Sequence, residues 1–474
     1  MTVPPRHPLY VDLDRTLVTA DISLESFLRF ARRGIVPALL LCLWLLRGRA
    51  FAKTMVARRV RLDPATLPYR EEVLALIRQA RAEGRRVVLA SASHRRYVGG
   101  VARHLGLFDS SIGSRGRHNL KGGAKLAWIG ADAVGAYDYI GDSRADRPIW
   151  TRADLAFSVD HIPRGGHVGT IACARTPAWR ALLRAMRPHQ WAKNALVLVP
   201  LATSGLWSDP PQIARAVVAM LLFSLTASGV YLVNDLLDID ADRAHRTKRN
   251  RPIASGALPI PLAVLSASVL MLAPLVAAYA LLGTRFALVL IGYLILTTAY
   301  SLYLKAAMTI DVIVLACLYT VRIFAGAVAI AVPVSSWLLT FSVFLFLSLA
   351  YLKRYTELAT TTATPDRLLS GRGYVGNDVE IVMITGVSAG MVSILVLAFF
   401  ISNATPAYSH GTPELLWGLC LILLYWLNRV WMMARRGQVS GDPIAFAITD
   451  RRSLLLGVLA GGLVFAAQRV AIPF

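Results

Sequence analysis

Between Tyr231 and Gly256 the chain reads YLVNDLLDIDADRAHRTKRNRPIASG, a dense run of polar residues at the end of an apolar helix. Asn234, Asp235, Asp238 and Asp242 fall at i, i+1, i+4 and i+8. At about 3.6 residues per turn, a helix brings Asn234, Asp238 and Asp242 onto one face, with Asp235 on its border. Four oxygen-bearing side chains so arranged suit Mg²⁺, a hard cation usually held by a few carboxylates together with substrate phosphates. A basic run follows at once: Arg243, Arg246, Lys248, Arg249 and Arg251. Cations beside a carboxylate–metal cluster read as a diphosphate site, in which the metal and the Arg and Lys side chains clamp phosphate oxygens. The bland alternative is a solvated loop beside a membrane span, but ionisable groups entering an apolar helix are functional by default.

The 474 residues are 55% hydrophobic with a mean hydropathy of +0.53, too apolar for an ordinary soluble protein and long enough for roughly two to three domains. Lys and Arg number 51 against 28 Asp and Glu, a net charge of +23. Such an excess points to nucleic acid, anionic lipid or anionic substrates. Long apolar runs favour the last two, and no aromatic–basic interleaving supports nucleic acid as a partner. Cys42, Cys173, Cys317 and Cys420 are scattered, without disulfide-framework or zinc spacing. The first residues, MTVPPRHPLYVDLD, lack the apolar stretch of a signal peptide. The composition shifts near residue 180, and Pro163–Pro188, Gly-rich and then basic amphipathic, reads as the linker. Its Arg175, Arg180, Arg184 and Arg187 could meet a membrane surface. The expected organisation is an α/β domain over 1–162, a linker or amphipathic segment over 163–186, and an all-α polytopic membrane domain over 187–474.

In the first domain, Leu9–Leu17 (LYVDLDRTL) reads as a buried strand ending in two aspartates two apart. Side chains at i and i+2 of a strand point the same way, so Asp12 and Asp14 converge at its C-terminal end, where open α/β sheets bind ligands. A second strand, Val87–Ala90, runs into Ser91-Ala92-Ser93; a third, Tyr137–Ile140, runs into Gly141-Asp142-Ser143-Arg144-Ala145-Asp146. Lys121 and Lys125 precede the third strand by about one helix. This ordered set resembles the haloacid dehalogenase (HAD) phosphatase superfamily over roughly Leu9 to Asp160. The resemblance implies that Asp12 is the nucleophile and Asp14 the general acid/base. It also implies that Asp12, the Asp14 carbonyl and Asp142 hold Mg²⁺ with Asp146 nearby. Ser91 and Lys125, with Lys121 the alternative, would bind phosphoryl oxygens. An anionic carboxylate attacks an anionic phosphate only when cations neutralise the charge, and this residue set provides for that.

Between the first two strands lies Phe27–Ala50, containing IVPALLLCLWLL. Twelve apolar residues fall short of the ~20 needed to span a bilayer. A helical insert that touches the membrane surface or packs over the phosphatase site is expected, with a plain buried helix as the alternative.

Beyond the linker, apolar runs suggest nine spans, near 193–207, 212–233, 259–281, 285–303, 310–330, 335–352, 380–401, 413–433 and 453–470. The loops after spans two, four, six and eight hold the Lys and Arg residues, which makes them cytoplasmic, together with the Asp-rich stretch and the N-terminal domain. Four more constellations fall on that side: Arg187–Asn194 (RPHQWAKN) with Lys193; Tyr300–Lys305 followed by Asp311; Tyr319 with Arg322, a cation that is costly in an apolar run without an anionic partner; and Lys353-Arg354-Tyr355-Thr356-Glu357. His189, Gln190, Tyr300 and Tyr355 read equally well as interfacial anchors.

From Arg187 to the C-terminus these features resemble the UbiA superfamily of intramembrane prenyltransferases, with NDLLDIDAD matching its first Asp-rich motif. Members bind a diphosphate through Mg²⁺, ionise it and pass the cation to an acceptor. The second motif of that superfamily carries an aspartate pair, whereas this chain has KRYTE, with Glu357 the only carboxylate before Asp366. The whole set is similar to a branch that transfers 5-phosphoribose from phosphoribosyl pyrophosphate (PRPP) to a polyprenyl (decaprenyl) phosphate, on the way to arabinofuranose donors. That resemblance implies Mg²⁺ on Asn234, Asp235, Asp238 and Asp242, with Lys193, Lys248, Arg251, Lys353 and Arg354 as phosphate ligands. A HAD phosphatase beside such a transferase could remove the 5-phosphate from its product, tethering raising the effective concentration of the second site. The alternatives are a prenyl transfer to an aromatic or quinone-type acceptor, or a non-catalytic or transport protein; a homo-oligomer is compatible with any of them.

Overall fold

Six short segments form a parallel sheet: β1 (Leu9–Val11), β2 (Val87–His94), β3 (Ser110–Ser114), β4 (Asp138–Gly141), β5 (Ala156–Val159) and β6 (Val168–Ile171). The structure is a computed structural model and describes residues 7–159, 168–173, 176–359, 372–402, 412–439 and 443–469. Residues 163–167 and 174–175 of the expected linker, with Arg175, lie outside the described residues, as does Asp366. The sheet order is β3-β2-β1-β4-β5-β6. The order reverses at β1, which pairs with β2 through Leu9↔Val87 and with β4 through Leu9↔Asp138. Such a switch point opens a crevice beyond the C-terminal strand ends.

Alternation explains why the sheet is covered on both faces. Leu9, Val11, Val87 and Leu89 point into one core with Leu17, Val73 and Ile77, while Tyr10, Val88 and Ala90 point into another with Ile129, Tyr139 and Trp150.

Between β1 and β2 the chain inserts three helices, α1 (Ile22–Ala31), α2 (Ile35–Leu46) and α3 (Arg49–Ala57). Asp21 caps α1 by accepting from the Leu24 amide at 3.0 Å. The alternative of a plain buried helix does not hold for α2: only Leu41 and Trp44 are buried, whereas Ile35 is 80% and Leu46 85% exposed.

The chain divides into two compact units: Met1–Ala185 with Leu232–Ser266, and Met186–Tyr231 with Ala267–Phe474. The Asp-rich stretch therefore groups with the N-terminal residues. Its helix is not continuous. Pro210–Leu237 ends before Asp238, which precedes a short helix, Ile239–Ala244, without a side-chain capping bond. Amide bonds from Asp238 to the Asn234 carbonyl (2.9 Å) and from Asp242 to the Asp238 carbonyl (2.8 Å) carry the i to i+4 spacing across the break.

Seven helices among the described residues are long and apolar enough to cross a membrane: Pro210–Leu237, Ile260–Leu282, Thr284–Leu302, Ile310–Ala329, Ser336–Ala359, Gly376–Ser402 and Glu414–Arg435. The stretch expected to span at 193–207 is instead a 3-10 segment, Pro188–Leu198, and a five-residue helix, Val199–Thr203. Pro188 and Pro200 remove amide donors there. The last expected span coincides with the helix Arg451–Arg469.

Candidate active sites

In the first unit, Asp12 directly follows β1, and Asp142 and Asp146 follow β4. Ligand oxygens of these three carboxylates lie within 4.8 Å of one another, the one such group of three among the described residues. Lys125 projects from the helix Gly123–Ala133 and is 2% exposed; its Nζ lies 3.1 Å from Asp12 Oδ1 and 3.2 Å from Asp146 Oδ1. It also donates to the Tyr139 hydroxyl at 2.9 Å, and that hydroxyl donates to Asp146 Oδ1 at 2.9 Å. Lys121 is exposed, so Lys125 is the lysine at this cluster. Asp14 accepts from the Ile22 amide (2.8 Å), Ser91 Oγ (2.9 Å) and Ser93 Oγ (2.7 Å). Ser91 thus spends its hydroxyl on Asp14.

Burial dominates the electrostatics. It pushes Asp12 well above the usual carboxylate range although Lys125 opposes it, raises Asp14 to about 6, and with the Asp146 charge raises Asp142 to about 7. Asp146 stays below its ordinary value despite burial, because Lys125, Ser143 and Tyr139 hold its anion. Two buried carboxylates and the half-buried Asp142, with a single ammonium, suit a divalent cation and oxygen ligation.

Lys53, on α3, escaped sequence reasoning because it sits in an ordinary-looking amphipathic helix. Its Nζ donates to the Ala92 carbonyl at 2.7 Å, joining the inserted helices to the end of β2, and burial lowers its pKa although Asp14 and Asp21 oppose the shift.

The Asp-rich stretch is mounted on α1. Glu25 and Arg243, each 2% exposed, form a two-pronged ion pair, with Arg243 NH1 to Glu25 Oε2 at 2.8 Å. Arg29 and Arg32 both bind Asp240, and Arg32 also donates to the Leu237 carbonyl at 2.6 Å. Thr19 Oγ1 donates to the Ser255 carbonyl at 2.6 Å. Gly256, at φ +76°, passes so close that a Cβ there would lie 2.4 Å from Thr19 Oγ1. Of the expected metal ligands, Asp235 and Asp242 are buried and Asn234 and Asp238 half-buried. Arg251, expected on phosphate, bridges Asp235 Oδ1 (3.1 Å) and Asp242 Oδ2 (2.7 Å), while Lys248 is exposed.

This mounting encloses a cavity of about 620 Å³ within the first unit. Arg15, Asp142 and Arg144 line it from the hydrolase side, and Ile253, Gly256 and Leu258 from beyond the Asp-rich stretch. Among the described residues no carboxylate pairs with Arg144.

The second unit holds two charged clusters. In one, Arg354 and Asp311 are both 0% exposed and meet at 2.9 Å. Tyr374 donates to Asp311 Oδ1 at 2.7 Å, Glu357 pairs with Arg354, and Arg372 donates to the Tyr300 hydroxyl at 2.9 Å. Arg354 is therefore committed to carboxylates; Lys353 beside it is half-buried. In the other, Arg322 donates to Asn194 Oδ1 at 2.9 Å and packs against Phe223, Tyr293 and Tyr319, with ring centroids at 5.4, 5.4 and 5.3 Å. Lys193 lies 6.0 Å from the Tyr319 ring. Among the described residues no carboxylate pairs with Arg322, so aromatic faces, the Asn194 amide and the Leu318 carbonyl stabilise its charge.

A parallel-sheet domain with a buried aspartate–lysine cluster, in a chain that also has an Asp-rich segment and seven helices apolar enough to cross a membrane, defines a membrane-integrated transferase with a phosphatase-type hydrolase domain. The chain belongs to the UbiA prenyltransferase family, whose profile matches residues 195–450, and residues 9–150 match haloacid dehalogenase-like hydrolase. An uncharacterized protein, y4nM, of Sinorhizobium fredii is 36% identical over 464 residues, 95% of this chain and 89% of its own length. Nodulation protein NoeC of Azorhizobium caulinodans is 37% identical, over 59% of this chain and 91% of its own. A decaprenyl-phosphate phosphoribosyltransferase of Mycolicibacterium smegmatis is 32% identical, over 60% of this chain and 92% of its own.

Proposed function

We propose that the chain transfers 5-phosphoribose from PRPP to a polyprenyl phosphate of the decaprenyl type, releasing diphosphate, and that its HAD domain removes the 5-phosphate from the lipid product. The reading of the first step draws on the phosphoribosyltransferase relatives and on Arg322, a buried cation that pairs with no carboxylate among the described residues. We assign Arg322, Lys193 and Lys353 to substrate phosphates, with Lys248 at the exposed edge. Asn234, Asp235, Asp238 and Asp242 would hold Mg²⁺, which when bound stabilises the departing diphosphate. Arg251 would orient Asp235 and Asp242, and Tyr300, Asp311, Arg354 and Glu357 would bind substrate within the second unit. The acceptor is already an anion, so no strong base is required. The excess of Lys and Arg in alternate loops supports a cytoplasmic location for both sites, and the product would feed envelope-glycan synthesis as an arabinofuranose precursor.

The observation that carries the second step is the cavity bounded both by Asp142 and by Ile253–Leu258. A substrate seated there meets Asp142, a member of the Asp12 cluster, with one phosphate and Arg144 with a second anion, as a phosphoribosyl lipid phosphate requires, while Arg15 beside it also pairs with Asp21 at 3.7 Å. Asp12 attacks phosphorus, the bond to the ribose 5-oxygen breaks, and Asp14 gives that oxygen its proton. Asp14 then takes a proton from the water that attacks the aspartyl-phosphate, freeing Asp12 and inorganic phosphate. Lys125 offsets the negative charge gathered at Asp12. Mg²⁺ on Asp12, the Asp14 carbonyl and Asp142 would add charge neutralisation when bound.

The test is lipid mass spectrometry on the purified chain given PRPP, polyprenyl phosphate and Mg²⁺. Wild type should yield polyprenyl-phosphoryl ribose, and Asp12→Asn should stop at its 5-phosphate. Absence of ribosylated lipid overturns the first step; the same product mixture from both proteins overturns the second.

A further inference from the structure

Helix α2 is apolar along all twelve of its residues, yet the fold covers little of it. Leu41 and Trp44 pack inward, Trp44 stacking on Phe30 with ring centroids 5.1 Å apart. Ile35, Val36, Leu39, Leu43 and Leu46 are each more than half exposed. A helix apolar all round belongs in a protein core or in lipid, and the first is excluded by this exposure. Spanning is excluded by length: twelve residues give about 18 Å, against a hydrocarbon core of roughly 30 Å.

The ends of α2 name the occupant. Gly34 and Gly48, at φ +142° and +114°, turn the chain sharply at either end. Exposed Arg33 lies just before the helix, and exposed Arg47 and Arg49 just after it. An apolar body of this length with guanidinium groups at both ends matches the boundary between acyl chains and anionic headgroups, where arginine reaches phosphate while its neighbours enter hydrocarbon. A protein groove would have no need of cations at both ends, whereas an anionic leaflet attracts each of them. The same chain carries seven helices fit to cross a bilayer, so such a surface is always at hand.

We infer that α2 lies in the plane of an anionic membrane surface, with its exposed apolar side in the acyl chains and Arg33, Arg47 and Arg49 on lipid phosphates. The phosphatase domain then has a membrane contact of its own, whichever phosphate ester it hydrolyses.

Cys42, exposed on α2, supplies the probe. In the full chain with Cys173, Cys317 and Cys420 replaced by alanine, Cys42 is labelled with nitrobenzoxadiazole and the protein placed in nanodiscs of phosphatidylcholine and phosphatidylglycerol. Lipids carrying an acyl-chain nitroxide should quench the label at least twofold, and aqueous iodide should barely quench it. With Cys42 also replaced by alanine, a label on Gly84→Cys, in an exposed turn, should behave in the opposite way. Leu39→Glu/Leu43→Glu should convert the Cys42 label to the iodide-sensitive pattern while Asp12-dependent hydrolysis of p-nitrophenyl phosphate persists, which shows that the domain has folded. Iodide quenching without nitroxide quenching in the parent overturns the inference. So does energy transfer between Cys42 labels on two copies with no nitroxide effect, which would assign the face to a second copy of the chain.

Discussion

Arg243 grips Glu25 with two guanidinium nitrogens across 218 residues of sequence, and neither side chain has more than 2% of its surface in water. Arg243 also donates to the Ala254 carbonyl at 2.7 Å, so one side chain ties α1 to both ends of the turn that follows the Asp-rich stretch. Losing one partner leaves a buried charge uncompensated, which costs about 3–5 kcal/mol. Glu25→Ala and Arg243→Ala should each lower the thermal midpoint of the purified chain, and the double variant should lose much less than the sum. Additive losses would mean that the two residues act independently.

Lys125, rather than Lys121, should be the lysine on which hydrolysis depends. Its ammonium is held charged by Asp12 and Asp146 despite complete burial. Lys125→Met should reduce hydrolysis of p-nitrophenyl phosphate by roughly 10²-fold or more, the scale of losing one preorganised charge. Lys121→Met should change it by less than about twofold, since an exposed side chain away from the cluster contributes little. Comparable losses in both would overturn the assignment.

His94 makes stability depend on pH. Its Nδ1 accepts from the Arg96 amide at 3.2 Å as the cap of the helix Arg95–Leu105. Burial, with Arg95 and Arg96 adding to it, lowers its pKa from 6.5 to about 4. Between those values the unfolded chain binds the proton and the folded chain does not, so stability rises with pH across this window. It is full above pH 6.5 and falls as pH drops towards 4. His94→Asn keeps a capping acceptor and should flatten this part of the melting-temperature profile; an unchanged slope would assign it to other groups.

Arg322 should matter to transfer and not to hydrolysis. Arg322→Met keeps the aromatic packing and deletes the charge. The yield of ribosylated lipid from PRPP should fall roughly tenfold or more, the worth of a charge-assisted contact, while p-nitrophenyl phosphate hydrolysis stays within about twofold. Retained transfer would make Arg322 a packing residue.

Much of this was legible from the chain alone, for physical reasons. Asp12 and Asp142 announced themselves because strands alternate and parallel sheets bind at their C-terminal ends. Most spans followed from hydropathy, but 193–207 did not, because an apolar count takes no account of the amides that Pro188 and Pro200 lack. Glu25, Arg29, Lys53 and Asp240 were invisible: each looks like a solvated charge on a short helix, and its partner is far away in sequence. The resemblance implies Arg251 and Arg354 as phosphate ligands, whereas the fold gives each of them carboxylates to hold. Spacing shows which groups share a face, but not which opposite charge the fold will bring to meet them.

The bonds from Thr19, Glu25, Arg29 and Arg32 to the stretch 237–255 also bear on how such a fusion is inherited. A gene cut between residues 162 and 187 would not yield two independent proteins. It would yield two fragments that still recognise each other, because the turn around Gly256 has Thr19 as its immediate neighbour. Co-expressed halves should therefore reassemble by complementation. A recombination event that replaced the hydrolase would have to bring matching residues on α1 to keep these bonds.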